Sequence, residues 1–207
     1  MNSTSPQGLR SVGCLLPREI RDDHAERIQS FLKHVDRQQE SEWSLTLYGS
    51  AAVALYVADT GLEYEPNFTR DIDIARMDPE EVDRSAINNH SVDPPLVFQP
   101  YDVERWLVHP DWRDATVNFT ALIGTTFLNV ELLHPIDLII TKLERAMPKD
   151  LEDGQLLFER YPEEVDRVRE RVREAAKYYV LSDRVVGQIE YSFAGIFQDS
   201  IELQGLL

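Results

Sequence analysis

An apolar segment that continues directly through a glycine-serine pair is the feature that most constrains how this chain can fold. Residues 45–48 have the composition of a buried strand, and residues 51–55 have that of a buried helix. The junction between them, Gly49-Ser50, has no bulky Cβ at the glycine and leaves backbone N–H groups free at a helix N-terminus. Because such groups can bind phosphate, the sequence predicts a strand, a phosphate-binding turn and a helix in direct succession.

A second apolar segment, residues 69–74, carries two aspartates and is predicted to be a strand. Side chains alternate along a strand, so Asp71 and Asp73 are expected on one face, with Ile72 and Ile74 in the core. An isolated Asp-x-Asp pair would more often lie on a solvated strand face. Aspartate is nevertheless disfavoured in strands, and the upstream turn supplies the other half of a phosphate site. Together these features favour a Mg²⁺-dependent nucleotide-transfer site.

Two further strands, residues 115–122 and 126–133, are predicted to form a hairpin through Gly124-Thr125. Glu131 is the one charged residue in the apolar run of the second strand. It could complete a metal cage as a third carboxylate, or activate an acceptor hydroxyl as a general base. An exposed glutamate on an edge strand explains the same position equally well.

Cationic side chains recur on one face of a predicted helix near residue 140. Lys142 and Arg145 are three residues apart, and a compact lysine cation would neutralise triphosphate charge. Asp150 and Asp153 share a face of the next predicted helix and could orient that lysine. Taken alone, this segment favours an ordinary solvated amphipathic helix with charge pairs.

The periodicity of the whole chain predicts an α+β protein, with a small mixed β-sheet core flanked by helices and further helices appended at the C-terminal end. We expect a flexible tail over residues 1–16, a core over 17–160 and a helical region, 161–207, packed on that core. Helices are predicted at residues 18–39, 79–88, 135–147, 150–159, 163–181 and 184–197. Residues 59–69 are predicted to form a loop, and residues 91–113, with four prolines, receive no assignment.

The composition argues against several classes of protein. The chain has 207 residues, 43% of them hydrophobic, which is enough for one sizeable core. Its single cysteine, Cys14, excludes an internal disulfide and fits a reducing cytosol, so a cytoplasmic location is expected. No segment approaches the roughly 20 apolar residues that span a bilayer, so no membrane association is expected. The net charge of −16 favours cationic or basic partners over nucleic acid.

These motifs, in this order, resemble the nucleotidyltransferase superfamily with the DNA polymerase β-like fold. The closer likeness is to bacterial minimal nucleotidyltransferases and to AbiEii-like toxins of toxin–antitoxin systems. The matching segments are residues 47–51, 69–73, 137–143 and 149–153. The resemblance covers about residues 43–158, and it departs from the family pattern in the long separation, 20 residues, between Ser50 and Asp71.

The resemblance implies a Mg²⁺- or Mn²⁺-dependent enzyme that moves a nucleoside monophosphate from an NTP to a hydroxyl acceptor and releases pyrophosphate. The catalytic and metal-binding residues that it implies are Asp71, Asp73 and Glu131. The nucleotide-binding residues that it implies are Gly49, Ser50, Lys142 and Asp150.

The acceptor stays open at this point. The resemblance allows a tRNA end or a protein side chain, and the acidic charge favours a protein or a cationic small molecule such as an aminoglycoside. A different class of function is a catalytically weak or inactive nucleotidyltransferase-like module that binds a basic partner, such as a cognate toxin or antitoxin.

Overall fold

One mixed β-sheet carries the fold in the computed structural model, which describes residues 23–58, 70–78, 96–100, 103–162 and 165–203. Within these ranges the strands are β1 (Trp43–Tyr48), β2 (Asp71–Asp78), β3 (Val97–Pro100), β4 (Val117–Asn118) and β5 (Leu128–Leu132). The helices are α1 (Asp23–Asp36), α2 (Gly49–Ala58), α3 (Thr120–Ile123), α4 (Pro135–Leu143), α5 (Pro148–Arg160), α6 (Val165–Ala176) and α7 (Asp183–Phe197). The predicted α+β class is confirmed.

The strand order is β3-β2-β1-β5-β4, with β1 in the centre. β1 pairs antiparallel with β2 and parallel with β5, while β3 extends the sheet in parallel beyond β2. Because β1 and β2 are antiparallel, the end of β1 lies beside the start of β2, and Tyr48 pairs with Asp73. The glycine-serine junction and the two aspartates therefore meet at one edge of the sheet.

The predicted strand, turn and helix around Gly49 are confirmed, as is the predicted aspartate strand. Ile72 and Ile74 are both buried, which leaves Asp71 and Asp73 on the opposite face. Helix α2 is buried along its whole length from Ala51 to Ala58, because it packs between β1, β2, α1 and α5. A helix that is apolar all round can be stable only in such an enclosed position.

The predicted strand over residues 115–122 is wrong for most of its length. β4 contains two residues, and its pairing with β5 stops at Asn118. The Asn118 side chain accepts a hydrogen bond from the Thr120 backbone N–H at 3.0 Å, a local bond that competes with a strand and begins the helical turn α3. The turn ends at Gly124, whose φ of 79° is left-handed.

Helix α1 ends earlier than predicted, at Asp36 instead of residue 39. The buried Asp36 carboxylate accepts hydrogen bonds from the backbone N–H groups of three consecutive residues, Thr126, Phe127 and Leu128. The end of α1 is thereby fixed to the start of β5. The predicted helix residues 18–22, the tail 1–16, the loop 59–69 and the helix 79–88 lie outside the described residues.

The four C-terminal helices follow the predicted order; α4 and α6 are shorter than predicted, whereas α5 and α7 each begin slightly earlier. α5 packs against α4 and α7, and α7 also contacts α4. On α6, Val168, Val172 and Ala175 form an apolar stripe that is buried. Arg171, which borders this stripe on α6, donates two hydrogen bonds to the buried carboxylate of Asp137 on α4. Among the helices that the structure describes, none is long and apolar enough to cross a membrane.

Candidate functional site

A cleft of about 270 Å³ opens at the edge of the sheet where β1 passes into α2. Its walls come from the β1–α2 junction, the start of β2, the strand β3 and the facing ends of α4 and α5. The lining residues used below are Gly49, Ser50, Asp71, Asp73, Gln99, Trp106, Lys142, Arg145 and Asp150. The fold thus brings together every residue that the sequence analysis proposed for the site, with the exception of Glu131.

Gly49 is required at its position for two separate reasons. Its φ of 68° lies in the left-handed region, which residues with a side chain rarely adopt. A Cβ placed on Gly49 would also collide with Oδ2 of Asp73 and lie 3.1 Å from its Cγ. The absence of a side chain therefore lets the backbone at the start of α2 approach an acidic group of the site directly.

The two aspartates of β2 differ in environment. Asp71 is exposed, whereas Asp73 is partly buried beside Gly49. Burial, followed by repulsion from Asp71, raises the pKa of Asp73 to about 6, against the opposing effect of Lys142, Arg145 and Lys149. The charged form of Asp73 is thus held at a cost that a bound cation would relieve.

Lys142 is buried, with 4% of its surface exposed, so the expectation of a solvated lysine is wrong. Its Nζ donates to Oδ2 of Asp153 at 2.6 Å and to Oδ1 of Asp150 at 3.3 Å. Both carboxylates are themselves buried. A buried lysine that is held by two carboxylates has a fixed position, because leaving either charge unpaired would cost several kcal/mol. The contacts of Lys142 with Asp150 and Asp153, one of the two interpretations of this segment, are thus present.

Two more contacts join the cluster of Lys142, Asp150 and Asp153 to the rest of the cleft. Ser50 Oγ donates to Oδ2 of Asp153 at 3.2 Å, which links the start of α2 to α5. Arg145 donates to both carboxylate oxygens of Asp150, from Nε at 2.9 Å and from an Nη at 2.7 Å. This hydrogen bonding raises the pKa of Arg145, and the guanidinium remains 48% exposed. The cleft therefore has two walls of opposite charge. The cationic wall consists of Lys142 near the end of α4 and Arg145 just beyond it, and the acidic wall consists of Asp71 and Asp73 on β2.

The structure places Glu131 away from this cleft. Glu131 lies on β5 and pairs with Thr46, whose Oγ1 donates to it at 3.4 Å. Because β1 lies between β5 and β2, the strand that carries Glu131 is two strand spacings, about 9.5 Å, from the strand that carries Asp73. Glu131 is therefore not among the residues that line the cleft with Asp71 and Asp73.

The residue that lies beside Asp73 on the neighbouring strand is Gln99, which is not a carboxylate. It pairs directly with Asp73 across β2 and β3 and lines the cleft. In the described part of the chain, no group of three or more histidine, cysteine, aspartate or glutamate side chains is placed to hold a metal ion. Two carboxylates with an amide neighbour remain compatible with Mg²⁺, which commonly takes one or two protein carboxylates together with substrate phosphates.

Sequence reasoning missed Gln99 and Trp106, both of which lie in the segment that received no assignment. A usable signal for Gln99 was the apolar run of residues 96–98 directly before it, which has the composition of a short strand. Trp106 follows a short 3₁₀ turn, Val103–Arg105, and no local pattern distinguishes it from a core tryptophan.

Comparison with known proteins gives one match. A family model described as a nucleotidyltransferase of unknown function (DUF6036) matches residues 23–199, from the start of α1 to just beyond α7. No curated protein matches, and neither does any solved structure. The matched range includes both walls of the cleft and covers most of the chain. The chain therefore belongs to the DUF6036 family of nucleotidyltransferases, whose function is unknown.

Proposed function

We propose that this protein is a metal-dependent nucleotidyltransferase that moves a nucleoside monophosphate from an NTP to a hydroxyl group. The observation that carries the proposal is the meeting of Asp71 and Asp73 with the Gly49-Ser50 turn and the cationic wall in one cleft. Phosphate binding at a helix N-terminus, a fixed lysine and two same-face carboxylates are the parts that this reaction needs. The family match supports the reaction class and leaves the substrates open.

In this reaction the acceptor hydroxyl oxygen forms a bond to the α-phosphorus of the NTP. The bond from the α-phosphorus to the bridging oxygen breaks, pyrophosphate leaves with that electron pair, and the hydroxyl proton passes to solvent. The backbone N–H groups at Gly49 and Ser50 would bind phosphate oxygens, and Lys142 and Arg145 would neutralise the charge that develops on the leaving group. Asp150 acts indirectly, because its oxygens already accept hydrogen bonds from both cations.

Asp71 and Asp73 fit a divalent cation, Mg²⁺ or Mn²⁺. Both carboxylates lie on one face, and burial and the charge of Asp71 raise the pKa of Asp73 despite the nearby cations, so a further positive charge would favour its ionised form. A bound ion would polarise the phosphate oxygens and offset the charge of the triphosphate. The protein residues would bind the ion, orient the phosphates and hold the cationic wall in place.

For the acceptor, we propose the hydroxyl group of a protein side chain, within a toxin–antitoxin or defence system. The net charge of −16 disfavours the approach of a long RNA and favours a basic protein. A tRNA end and a cationic small molecule of the aminoglycoside type are the other two acceptors to be tested.

A non-catalytic binding module is the second candidate, and one observation favours it. Within the residues that the structure describes, the site offers two carboxylates beside a neutral Gln99, and Glu131 lies elsewhere. A site with fewer acidic groups would bind nucleotide and metal ion weakly and could retain a regulatory role for a basic partner.

Incubation of the purified protein with each α-³²P-labelled NTP, Mg²⁺ and a cell extract separates these functions. Label in protein bands supports a protein acceptor, whereas label in tRNA or in an added aminoglycoside identifies the other acceptors. The double variant Asp71→Asn/Asp73→Asn is the control, because it keeps the side-chain shape and removes both charges. Absence of label above this control, with every NTP and acceptor, would favour the non-catalytic module.

A further inference from the structure

We infer that Trp106 forms the subsite for the nucleobase and that the nucleotide is a purine nucleoside triphosphate. The inference rests on the proposed function, because it assigns the base end of the nucleotide whose phosphates bind at Gly49-Ser50. It concerns an aromatic residue that the proposed phosphate and metal chemistry leaves without a role.

Trp106 differs from the other two tryptophans of the chain in where its ring lies. Trp112 is 1% exposed and belongs to the core, and Trp43 lies at the start of β1, the end opposite the cleft. Trp106 is only partly buried, and it lines the cleft together with charged and polar side chains. An indole ring left open to a polar cleft is a surface that an aromatic ligand can cover.

The segment that carries Trp106 is fixed on both sides, so its position in the cleft is preorganised. Val103 and Leu107 are buried in the core. The Trp106 backbone N–H donates to the Val103 carbonyl at 3.0 Å, and the Leu107 N–H donates to Oε2 of Glu144 at 2.8 Å. Glu144 immediately precedes Arg145, so this bond also joins the tryptophan segment to the cationic wall. A side chain ordered before binding loses little entropy when a ligand stacks on it.

The chemistry of the cleft divides into a charged part and an aromatic part. Lys142, Arg145 and the start of α2 provide cations and N–H donors for phosphates, while Trp106 provides a flat apolar face. A nucleoside triphosphate has the same division. Stacking tolerates every base, but a two-ring purine covers more of an indole than a one-ring pyrimidine does, so purines are expected to bind more tightly.

The test compares binding of Mg²⁺·ATP with that of Mg²⁺·tripolyphosphate, which has the phosphate chain and no base, by calorimetric titration of the full chain. We expect Trp106→Leu to weaken ATP binding by about 5- to 150-fold, the range found for loss of one stacked base. Tripolyphosphate binding should stay unchanged, and Trp106→Phe should retain most of the ATP affinity. The wild-type protein should bind ATP and GTP more tightly than CTP and UTP, with a smaller gap in Trp106→Leu.

Tryptophan fluorescence gives a second readout. ATP should quench emission in the wild type and in the matched control Trp43→Phe, and the quenching should be lost in Trp106→Phe. Equal losses of ATP and tripolyphosphate affinity in Trp106→Leu would overturn the inference, because Trp106 would then only shape the cleft. Unchanged ATP affinity would overturn it as well, while leaving the proposed function intact. Failure of the wild type to bind either ATP or tripolyphosphate would overturn the proposed function together with this inference.

Discussion

The backbone of Gly49 lies directly against the carboxylate of Asp73, closely enough that a Cβ on the glycine would occupy the space of Asp73 Oδ2. The turn at Gly49-Ser50 and the strand that carries the two aspartates thus meet closely at Asp73. The effect of a substitution at Gly49 therefore has to be interpreted together with Asp73, although 24 positions separate the two residues in the sequence.

Replacement of Gly49 by alanine should damage both stability and binding. The left-handed φ and the collision with Asp73 should lower the free energy of unfolding by about 1–3 kcal/mol. The matched control is Gly187→Ala on α7, where no described atom lies within 4 Å of the new Cβ and helix propensity predicts a small gain. Thermal melts with and without Mg²⁺·ATP measure both effects. Wild-type behaviour of Gly49→Ala would show that the turn tolerates a side chain.

Asp73 should make the protein without metal ion less stable above pH 6. Its folded pKa of about 6 lies above the value of an unfolded aspartate. Its contribution to stability is therefore fully present below about pH 4 and is lost as the pH rises through 6. Asp73→Asn should raise the free energy of unfolding at pH 7 and should have little effect at pH 4. Denaturant unfolding at both pH values checks this, and equal effects at both would contradict it.

The affinity for a divalent cation should rise with pH, whereas the stability of the protein without metal ion falls. A divalent cation binds the ionised carboxylate, so its affinity should rise between pH 5 and pH 7 and then level off. The rise in melting temperature on addition of Mn²⁺ or Mg²⁺ with ATP follows this affinity. Asp71→Asn/Asp73→Asn should abolish the rise at every pH. A rise that persists in the double variant would place the metal ion elsewhere.

Lys142→Ala should be strongly destabilising, in contrast to what a solvated lysine would predict. Asp150 retains its hydrogen bonds from Arg145, but buried Asp153 loses its closest cation. Loss of one partner from a buried ion pair typically costs about 3–5 kcal/mol. The double variant Lys142→Met/Asp153→Asn should be more stable than Lys142→Ala, because no buried charge is then left unpaired at this position. Chemical denaturation of the two variants and the wild type measures the difference.

Gln99→Glu would introduce a third carboxylate at the position that pairs with Asp73. Like charges in close proximity repel, so the protein without metal ion should be less stable at pH 7 than the wild type. A divalent cation would relieve this repulsion, so Mn²⁺ should bind more tightly. Melting curves over a range of Mn²⁺ concentrations report both effects, with Gln155→Glu on α5, outside the cleft lining, as a matched charge control. Equal responses of the two variants would mean that residue 99 does not face the metal site.

Local patterns were sufficient to predict the elements around Gly49, because each is specified by its own residues. The apolar run of β1, the glycine and the alternation in β2 identify the turn and the two aspartates without knowledge of distant contacts. The order of strands in the sheet is not local. Glu131 has the sequence environment of a site residue, and only the placement of β5 on the far side of β1 separates it from Asp73.

The burial of Lys142 was also beyond local prediction. An amphipathic period shows which side of a helix is apolar, but it cannot show that α5 covers the polar side with Asp150 and Asp153. β4 failed as a predicted strand because Asn118 and Thr120 form hydrogen bonds that end it after two residues. Asn118 also donates to Oδ1 of Asn129 on β5 at 2.7 Å, a contact that exists only once the partner strand is in place.

The two walls of the cleft come from separate stretches of the chain, and this has a consequence for synthesis on the ribosome. A nascent chain that has reached residue 140 already contains the Gly49-Ser50 turn and both aspartates of β2, but it lacks Lys142, Arg145 and Asp150. The contact between Lys142 and Asp153 forms only once α5 has followed α4, and α5 in turn packs against α7. A polypeptide that ends before Lys142 therefore contains the acidic wall of the cleft without the cationic wall, and the cleft is assembled only after α5 has been synthesised.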